Sequence, residues 1–387
     1  MRSAKPADVG LDPGRLERLT ATISHDVEHE VYDGAVVVVA RRGAVALHAA
    51  IGYAERATGR RARPDDVFCA FSITKTLTAA TVLRRIEQGE LALTTPVADV
   101  IPEFGVRGKQ RITVAHLLTH TGGLAAVPPA LAPELLGDLE TFVAAVSQQA
   151  LDAVPGSEVN YSAISGHAVL AEMVRRLDGG RRRFRAIVAD EVLTPLGMKE
   201  TWLGLRPDLA PRRVPVVMRD RSPGLFEPEM LEGFNALLTE ESEFPAAGAI
   251  STAADLARWG EALRCGGTLD GTRVLAPATV RLATTNHTGL APNRLWSYAR
   301  ELRGWEAFPA YLGLTFWLRG SGIFPMFFGT LASSATFGHA GAGTALFWVD
   351  PERELVFVCL TAGGLEETRN IERFQRLSDL AHAAVLD

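Results

Sequence analysis

Ser72 and Lys75 stand three residues apart in Ser72-Ile73-Thr74-Lys75, at the start of a segment whose Leu77, Ala80, Leu83 and Ile86 recur at helical spacing until Gly89. Side chains at i and i+3 share a helical face, so the amine can reach the hydroxyl and take its proton. Only four lysines occur, Lys5, Lys75, Lys109 and Lys199, and only Lys75 has a serine three positions before it. A helix start also presents N–H groups and a dipole that favour developing negative charge. Acyl transfer at a serine further needs a proton shuttle and oxyanion donors. Tyr161, in Glu158-Val159-Asn160-Tyr161-Ser162-Ala163 after the Pro155-Gly156 turn, offers a phenol. Beside a lysine cation that phenol is expected to move toward phenolate and share the base role; packing at a helix entry is the plainer role for a tyrosine so placed. Phe337-Gly338-His339-Ala340-Gly341-Ala342-Gly343-Thr344 reads as a glycine-rich turn before a strand. Its small residues let a backbone approach a ligand closely and offer an N–H to an oxyanion.

Other residues invite chemistry less strongly. His25-Asp26-Val27-Glu28-His29 has a zinc-protease spacing, yet its histidines fall opposite Ile23 and Val27, on a face expected to be wet and polar. Cys69, Cys265 and Cys359 are odd in number and far apart, so reduced and mostly buried thiols are expected, and Cys69 has no neighbouring base or cation to activate it. The run Arg181, Arg182, Arg183, Arg185 is expected to be a solvated helix start. Glu227, Glu229, Glu232, Glu240, Glu241 and Glu243 suggest a surface loop beside the cleft, with a lid as the alternative. Between residues 287 and 337 eleven aromatic residues crowd together; packing, a contact with a second copy of the chain, and a bulky apolar substrate pocket all remain open for them.

These residues need a scaffold, and 387 residues with 47% hydrophobic content can bury a large core as one big or two interlocked domains. A net charge of -5 argues against nucleic acid or an anionic membrane as the main partner. No apolar run approaches bilayer length, and Met1-Arg2-Ser3-Ala4-Lys5-Pro6 lacks the apolar stretch of a secretory signal, so the expected location is cytoplasmic. Leu16, Leu19, Ile23, Val27 and Val31 describe an amphipathic helix from Asp12-Pro13 to Tyr32. Runs 35–40 and 45–51 read as a hairpin of buried strands, and strand-like runs return at 312–318, 344–349 and 355–360, ahead of a helix from about Glu366. Residues 96–205 are mainly helical in pattern. The expected fold class is α/β of the α+β type: an antiparallel sheet flanked by helices and built from both ends of the chain, residues 1–78 and 206–387, with a mostly helical domain, 79–205, inserted between them.

Taken in order, Ser72-x-x-Lys75, Tyr161-Ser162 and His339-Ala340-Gly341 resemble the motifs of the serine β-lactamase and penicillin-recognising superfamily, especially its class C-like branch and the family VIII carboxylesterases. The stretches around His116 to Leu124, Pro195 to Met198 and Ala247 to Trp259 agree, and the resemblance runs from about residue 10 onward. It implies a catalytic cleft where the two domains meet, with Ser72 as nucleophile, Lys75 and Tyr161 as the proton-transfer pair, and the backbone N–H groups of Ser72 and Ala342 as the oxyanion hole. His339, Ala340, Gly341 and Ala163 would border the substrate, and no metal or organic cofactor is needed. Two departures bear on substrate. His339 stands where β-lactamases and penicillin-binding proteins commonly have lysine, and Ala163 stands where an asparagine is usual. A neutral imidazole gives up most of the charge-assisted attraction to a carboxylate, and alanine cannot donate to an amide carbonyl. The expectation is a serine hydrolase acting on a small-molecule carboxylic ester. The competing expectations are an acyltransferase using the same acyl-serine, weak β-lactam or D-amino-acid peptide hydrolysis, and a binding protein that kept the cleft without the chemistry.

Overall fold

The computed structural model describes residues 1–387. In chain order the strands are β1 (Arg2–Ser3), β2 (Gly34–Arg41), β3 (Ala44–Glu55), β4 (Arg60–Arg61), β5 (Phe68–Cys69), β6 (Trp202–Leu203), β7 (Ala249–Ser251), the hairpin β8 (Thr268–Leu269) and β9 (Thr272–Arg273), β10 (Trp317–Leu318), β11 (Phe337–Gly341), β12 (Ala345–Asp350) and β13 (Leu355–Ala362). Eight of them form the main sheet in the order β1-β3-β2-β13-β12-β11-β10, with β4 paired to β3. Pairing is antiparallel apart from the short β1 against β3. The seam between the two ends of the chain is the eight-residue β2–β13 ladder, from Gly34↔Ala362 to Arg41↔Leu355.

Successive side chains of a strand face opposite ways, and both faces of β2, β12 and β13 are covered, which is why these strands read as unbroken apolar runs, whereas β3 is half-exposed. Val37, Val39, Leu346, Trp348, Phe357 and Cys359 point into a core shared with helix α1 (Pro13–Glu28). Their neighbours Val36, Val38, Phe347, Val349, Val356 and Val358 point into the larger core on the other face. The helices after α1 are α2 (Thr74–Glu87), α3 (Val114–Leu118), α4 (Leu139–Gln148), α5 (Ser165–Leu177), α6 (Phe184–Val188), α7 (Pro228–Glu232), α8 (Phe234–Leu237), α9 (Ala253–Arg264), α10 (Pro277–Ala283), α11 (Ser297–Arg303) and α12 (Glu367–His382). Helix α12 packs beside α1, and α9 covers the opposite face of the sheet. β5, β7 and β6 make a small sheet of their own just before Ser72.

Several expectations shift. Helix α1 stops at Glu28 rather than Tyr32, because Val27 is its last buried apolar residue and Val31 is exposed beyond a left-handed Glu30. Phe337–Gly341 is a strand rather than a turn, since main-chain pairing with β10 and β12 overrides its glycines, whereas the run 312–318 keeps only two residues of strand. The segment 96–205 carries α3 to α6 but also long irregular stretches. Cys69 and Cys359 are buried thiols, while Cys265 is exposed. The four arginines at 181–185 are not free. Arg182 pairs with Asp178, and Arg183 and Arg185 pair with Glu241, so the basic run and part of the acidic stretch neutralise each other. His25 and His29 lie exposed with their rings 3.9 Å apart, on the wet face of α1. No helix is long and apolar enough to cross a membrane.

Candidate active site

Ser72 lies in a tight turn of 3-10 helix, Phe71–Ile73, one step ahead of α2. Phe71 takes φ +44, a left-handed value that bulky residues adopt only when held there. Phe71 is packed against the ring of Phe234 at 5.2 Å and is almost fully buried. Every residue of α2 from Thr74 to Leu83 is buried. Its polar side chains are therefore bonded inside the protein: Thr76 accepts from the Trp259 indole at 3.0 Å, and Thr78 donates to the Pro245 carbonyl at 2.6 Å.

That burial decides the state of Lys75. Its Nζ is 3.0 Å from Ser72 Oγ and 2.8 Å from the Ala246 carbonyl, with no carboxylate among its partners. Loss of water around the amine pushes its pKa well below the ordinary lysine value. A neutral amine has a lone pair to offer the hydroxyl, which a lysine cation lacks.

Tyr161 is placed by the strap 159–162. Val159 bridges to Asn293, whose buried side chain accepts from the Tyr161 N–H at 3.3 Å, and His120 Nδ1 accepts from the Ser162 N–H at 3.2 Å. The ring has Lys75 Nζ 5.0 Å from its centroid, the His120 ring at 4.4 Å, and Trp317 edge-on at 5.9 Å. The expected drift toward phenolate does not occur. Burial raises the Tyr161 pKa above the usual phenol value, and the Ser72 hydroxyl offsets only part of this. Desolvation also disfavours the charged form of the lysine that was to supply the attraction.

The third motif comes from β11. Gly341 passes so close to the Ser72 turn that an added Cβ would lie 2.5 Å from the Ala70 carbonyl oxygen, so only glycine fits there. Ala342 follows, half-buried in the turn between β11 and β12, and its N–H donates to no acceptor in the protein. Ala340 faces the core shared with α12, and Ala163 is half-buried beside Tyr161. His339 departs from its expected role. It is fully buried, its Nδ1–H donates to the Ala340 carbonyl at 2.7 Å, and its Nε2 has no partner, which assigns a tautomer with nothing to donate toward a substrate. Burial is the main cause that pushes its pKa down to about 3.

Ser72, Lys75, Tyr161, His339 and Ala342 are thus brought to one place by α2, the 159–162 strap and β11. Sequence reasoning missed Asn293, the Ala246 carbonyl and the imidazoles behind Tyr161. His120 was visible only as part of a motif, and a backbone carbonyl leaves no signal in residue types. Much of the aromatic crowd is packing, with Trp296 and Trp317 meeting edge to face at 5.8 Å and Trp317 lying 5.5 Å from His339, while Trp305 and Phe324 line an open cavity beside α12.

His120 and His167 are also buried and held well below the usual imidazole range, and His382 on α12 is pushed down to about 4, in each case mainly by desolvation. The unfolded chain takes up protons on these four histidines first, from about pH 6.5 downward. Their contribution to stability is therefore complete above that pH and is lost as pH falls toward the folded values. Glu367, raised to about 7, Asp255, raised to about 6, and Glu243, raised by burial, oppose this in part, while His116, lowered by burial, adds to it. Thermal melts should show the midpoint falling by about 5–10 °C between pH 7 and pH 4.5; a flat profile would contradict buried neutral imidazoles.

A family model for Beta-lactamase matches residues 19–381. The "Esterase/beta-lactamase LipL" of Mycobacterium tuberculosis (strain ATCC 25618 / H37Rv) is 27% identical over 79% of this chain and 71% of its own length. "Esterase EstB" of Burkholderia gladioli is 34% identical over 51% of this chain, an alignment that spans 54% of EstB. The solved structure of a family VIII carboxylesterase superposes with a TM-score of 0.80 at 21% identity, covering 97% of this chain and 99% of that one, which is a likeness of fold. With a match across almost all of its length, this chain belongs to the Beta-lactamase family.

Proposed function

We propose that the protein is a serine hydrolase that cleaves neutral carboxylic esters through an acyl-serine intermediate. The observation that carries this reading is Lys75 Nζ at 3.0 Å from Ser72 Oγ, in buried surroundings that disfavour the charged amine. Lys75 takes the Ser72 proton as Oγ bonds to the ester carbon. The carbonyl oxygen, now an anion, is met by the N–H groups of Ser72 and Ala342. The carbon–oxygen bond to the alcohol then breaks, and Tyr161, resting as a protonated phenol, gives its proton to the departing oxygen and recovers one from the Lys75 ammonium. Water attacks the acyl carbon in the second half-reaction, its proton passes to the same pair, and Ser72 leaves with its own proton restored and the carboxylic acid released.

The choice of a neutral ester is supported by what surrounds Ser72. His339 is uncharged and turned inward, and Ala163 has no polar atom in its side chain. A substrate carboxylate would find no cation from either motif, whereas an ester asks for none. Two relatives named as esterases point the same way. On this reading residues 1–78 with 206–387 form one domain and 79–205 the other, with α2 embedded in the core they share. Three unpaired cysteines suit a cytoplasmic setting.

The test is to mix the enzyme with p-nitrophenyl acetate, quench in acid within the first turnovers, digest, and locate the acyl group by mass spectrometry. One acetyl per chain on the peptide containing Ser72 is expected, with a burst of one p-nitrophenolate if deacylation is slow. Acetyl on the exposed Cys265 with none on Ser72, or a burst of p-nitrophenolate with no acetylated residue, would refute the mechanism.

A further inference from the structure

The turn that carries Ala342 is gripped from behind by α12. The Gly343 N–H donates to Glu367 Oε1 at 2.7 Å, and the Gly343 carbonyl accepts from Arg373 Nη2 at 3.0 Å and from the Leu365 N–H at 3.1 Å. Gly343 takes φ +65, and an added Cβ would lie 2.9 Å from the Leu365 carbonyl oxygen, so the turn has little room to move away. Asn370 joins the two charged residues: its amide nitrogen reaches Glu367 Oε2 at 3.4 Å, and its oxygen accepts from Arg373. Residues 367, 370 and 373 recur every three positions and so follow one side of α12.

All three are buried, and for Glu367 and Arg373 that is unfavourable. A carboxylate and a guanidinium taken out of water are often less stable than well-packed apolar residues of similar size. Arg373 keeps two side-chain nitrogens, Nε and Nη1, without partners, against the faces of Phe374 and Tyr32. What the pair provides is directional: a fixed acceptor for one peptide plane of Gly343 and a fixed donor for the other. Peptide units are rigid, so pinning both planes of Gly343 restricts the plane just before them, the one bearing the Ala342 N–H.

We propose that Glu367 and Arg373 are positioning residues that aim the Ala342 N–H at the developing oxyanion. The proposal rests on the ester-hydrolase reading above. Neither residue touches the substrate; both act through Gly343. Removing one oxyanion donor from an acyl-transfer site costs about 10²–10³ in kcat, so a donor left loose is expected to cost about tenfold or more.

The experiment compares wild type, Glu367→Ala, Glu367→Gln and Arg373→Met for kcat and KM on p-nitrophenyl acetate, for inhibition by phenylboronic acid, which forms a tetrahedral adduct on a serine, and for melting temperature. Glu367→Ala should lower kcat about tenfold or more with KM little changed, and weaken the boronate by a similar factor. Glu367→Gln, which keeps an oxygen acceptor for the Gly343 N–H, should recover most of that loss. A Glu367→Ala protein that melts earlier yet keeps wild-type kcat and boronate affinity, or loses only KM, would overturn the positioning role. If Glu367→Ala does not fold, Arg373→Met reads the same turn from its other side: the same split supports the proposal and unchanged values sink it. Wild type that neither turns over the ester nor binds the boronate would instead bring down the hydrolase reading, and the clamp with it.

Discussion

Ser72→Ala is expected to reduce kcat/KM on a short-chain p-nitrophenyl ester by about 10⁴-fold or more, leaving the fold intact. The size of the loss follows from the mechanism, since without Oγ no covalent intermediate forms, and the amine of Lys75 is left with no hydroxyl to activate. Oxyanion donors and binding survive the change, so a small residual rate over water is expected rather than zero. Stability should move little, because Ser72 is only half-buried and the change removes a single hydroxyl oxygen. The measurement is steady-state hydrolysis by wild type and variant prepared identically, with circular dichroism to confirm the fold. A variant that keeps even a tenth of the wild-type rate would mean that another group attacks the ester.

Lys75→Met should lower kcat by about 10³-fold or more while raising the melting temperature at neutral pH. The two effects have one cause. The amine is fully buried with only two oxygen partners, and desolvation drives its pKa well below the ordinary lysine value, so the folded chain holds that proton less tightly than the unfolded chain does. Between its folded pKa and the ordinary lysine value the unfolded state binds the extra proton, and wild-type stability rises with pH through that window. Methionine has nearly the same length and no proton to lose. The variant should therefore melt higher by roughly 2–4 °C for each kcal/mol released, and its advantage should shrink as pH rises toward the free-amine value. In the wild type the acidic limb of kcat/KM should belong to this amine and lie below the usual lysine range. A Lys75→Met protein that melts lower than wild type at pH 7 and shows no pH-dependent difference would indicate that the amine rests charged.

Much of this could be read from residue order, and the parts that could not share a physical reason. The i, i+3 spacing of Ser72 and Lys75 survives because it needs only a local turn, even though that turn is 3-10 at Ser72 and α-helical from Thr74. The pair β2 and β3 was legible because two apolar runs flank a short polar turn, although only β2 is buried and residues 45–51 of β3 lie half-exposed at their face of the sheet. β11 was not, since Phe337-Gly338-His339-Ala340-Gly341 has turn-like composition and becomes a strand only through neighbours on both sides. The ionisation of Tyr161 was misjudged because it depends on burial, which is a property of the assembled core. His339 was expected to face the substrate, and a strand register that turns its ring inward is likewise absent from local sequence. The charged runs at 181–185 and 240–243 looked independent, 55 or more residues apart, until the fold set Arg185 against Glu241.

The ladder joining β2 to β13 has a consequence for the birth of the molecule. Residues 34–41 leave the ribosome early, and their partners, 355–362, emerge some 320 residues later. At a synthesis rate of about 5–20 residues per second, that is a wait of roughly 15–65 s during which one edge of an apolar strand has no native neighbour. A seam closed by such distant segments also places the fold among slow folders. Production in a cell should therefore depend on chaperone supply and improve at lower growth temperature, even if the finished enzyme is robust. The edge of Gly34–Arg41 is where self-association of nascent chains would start.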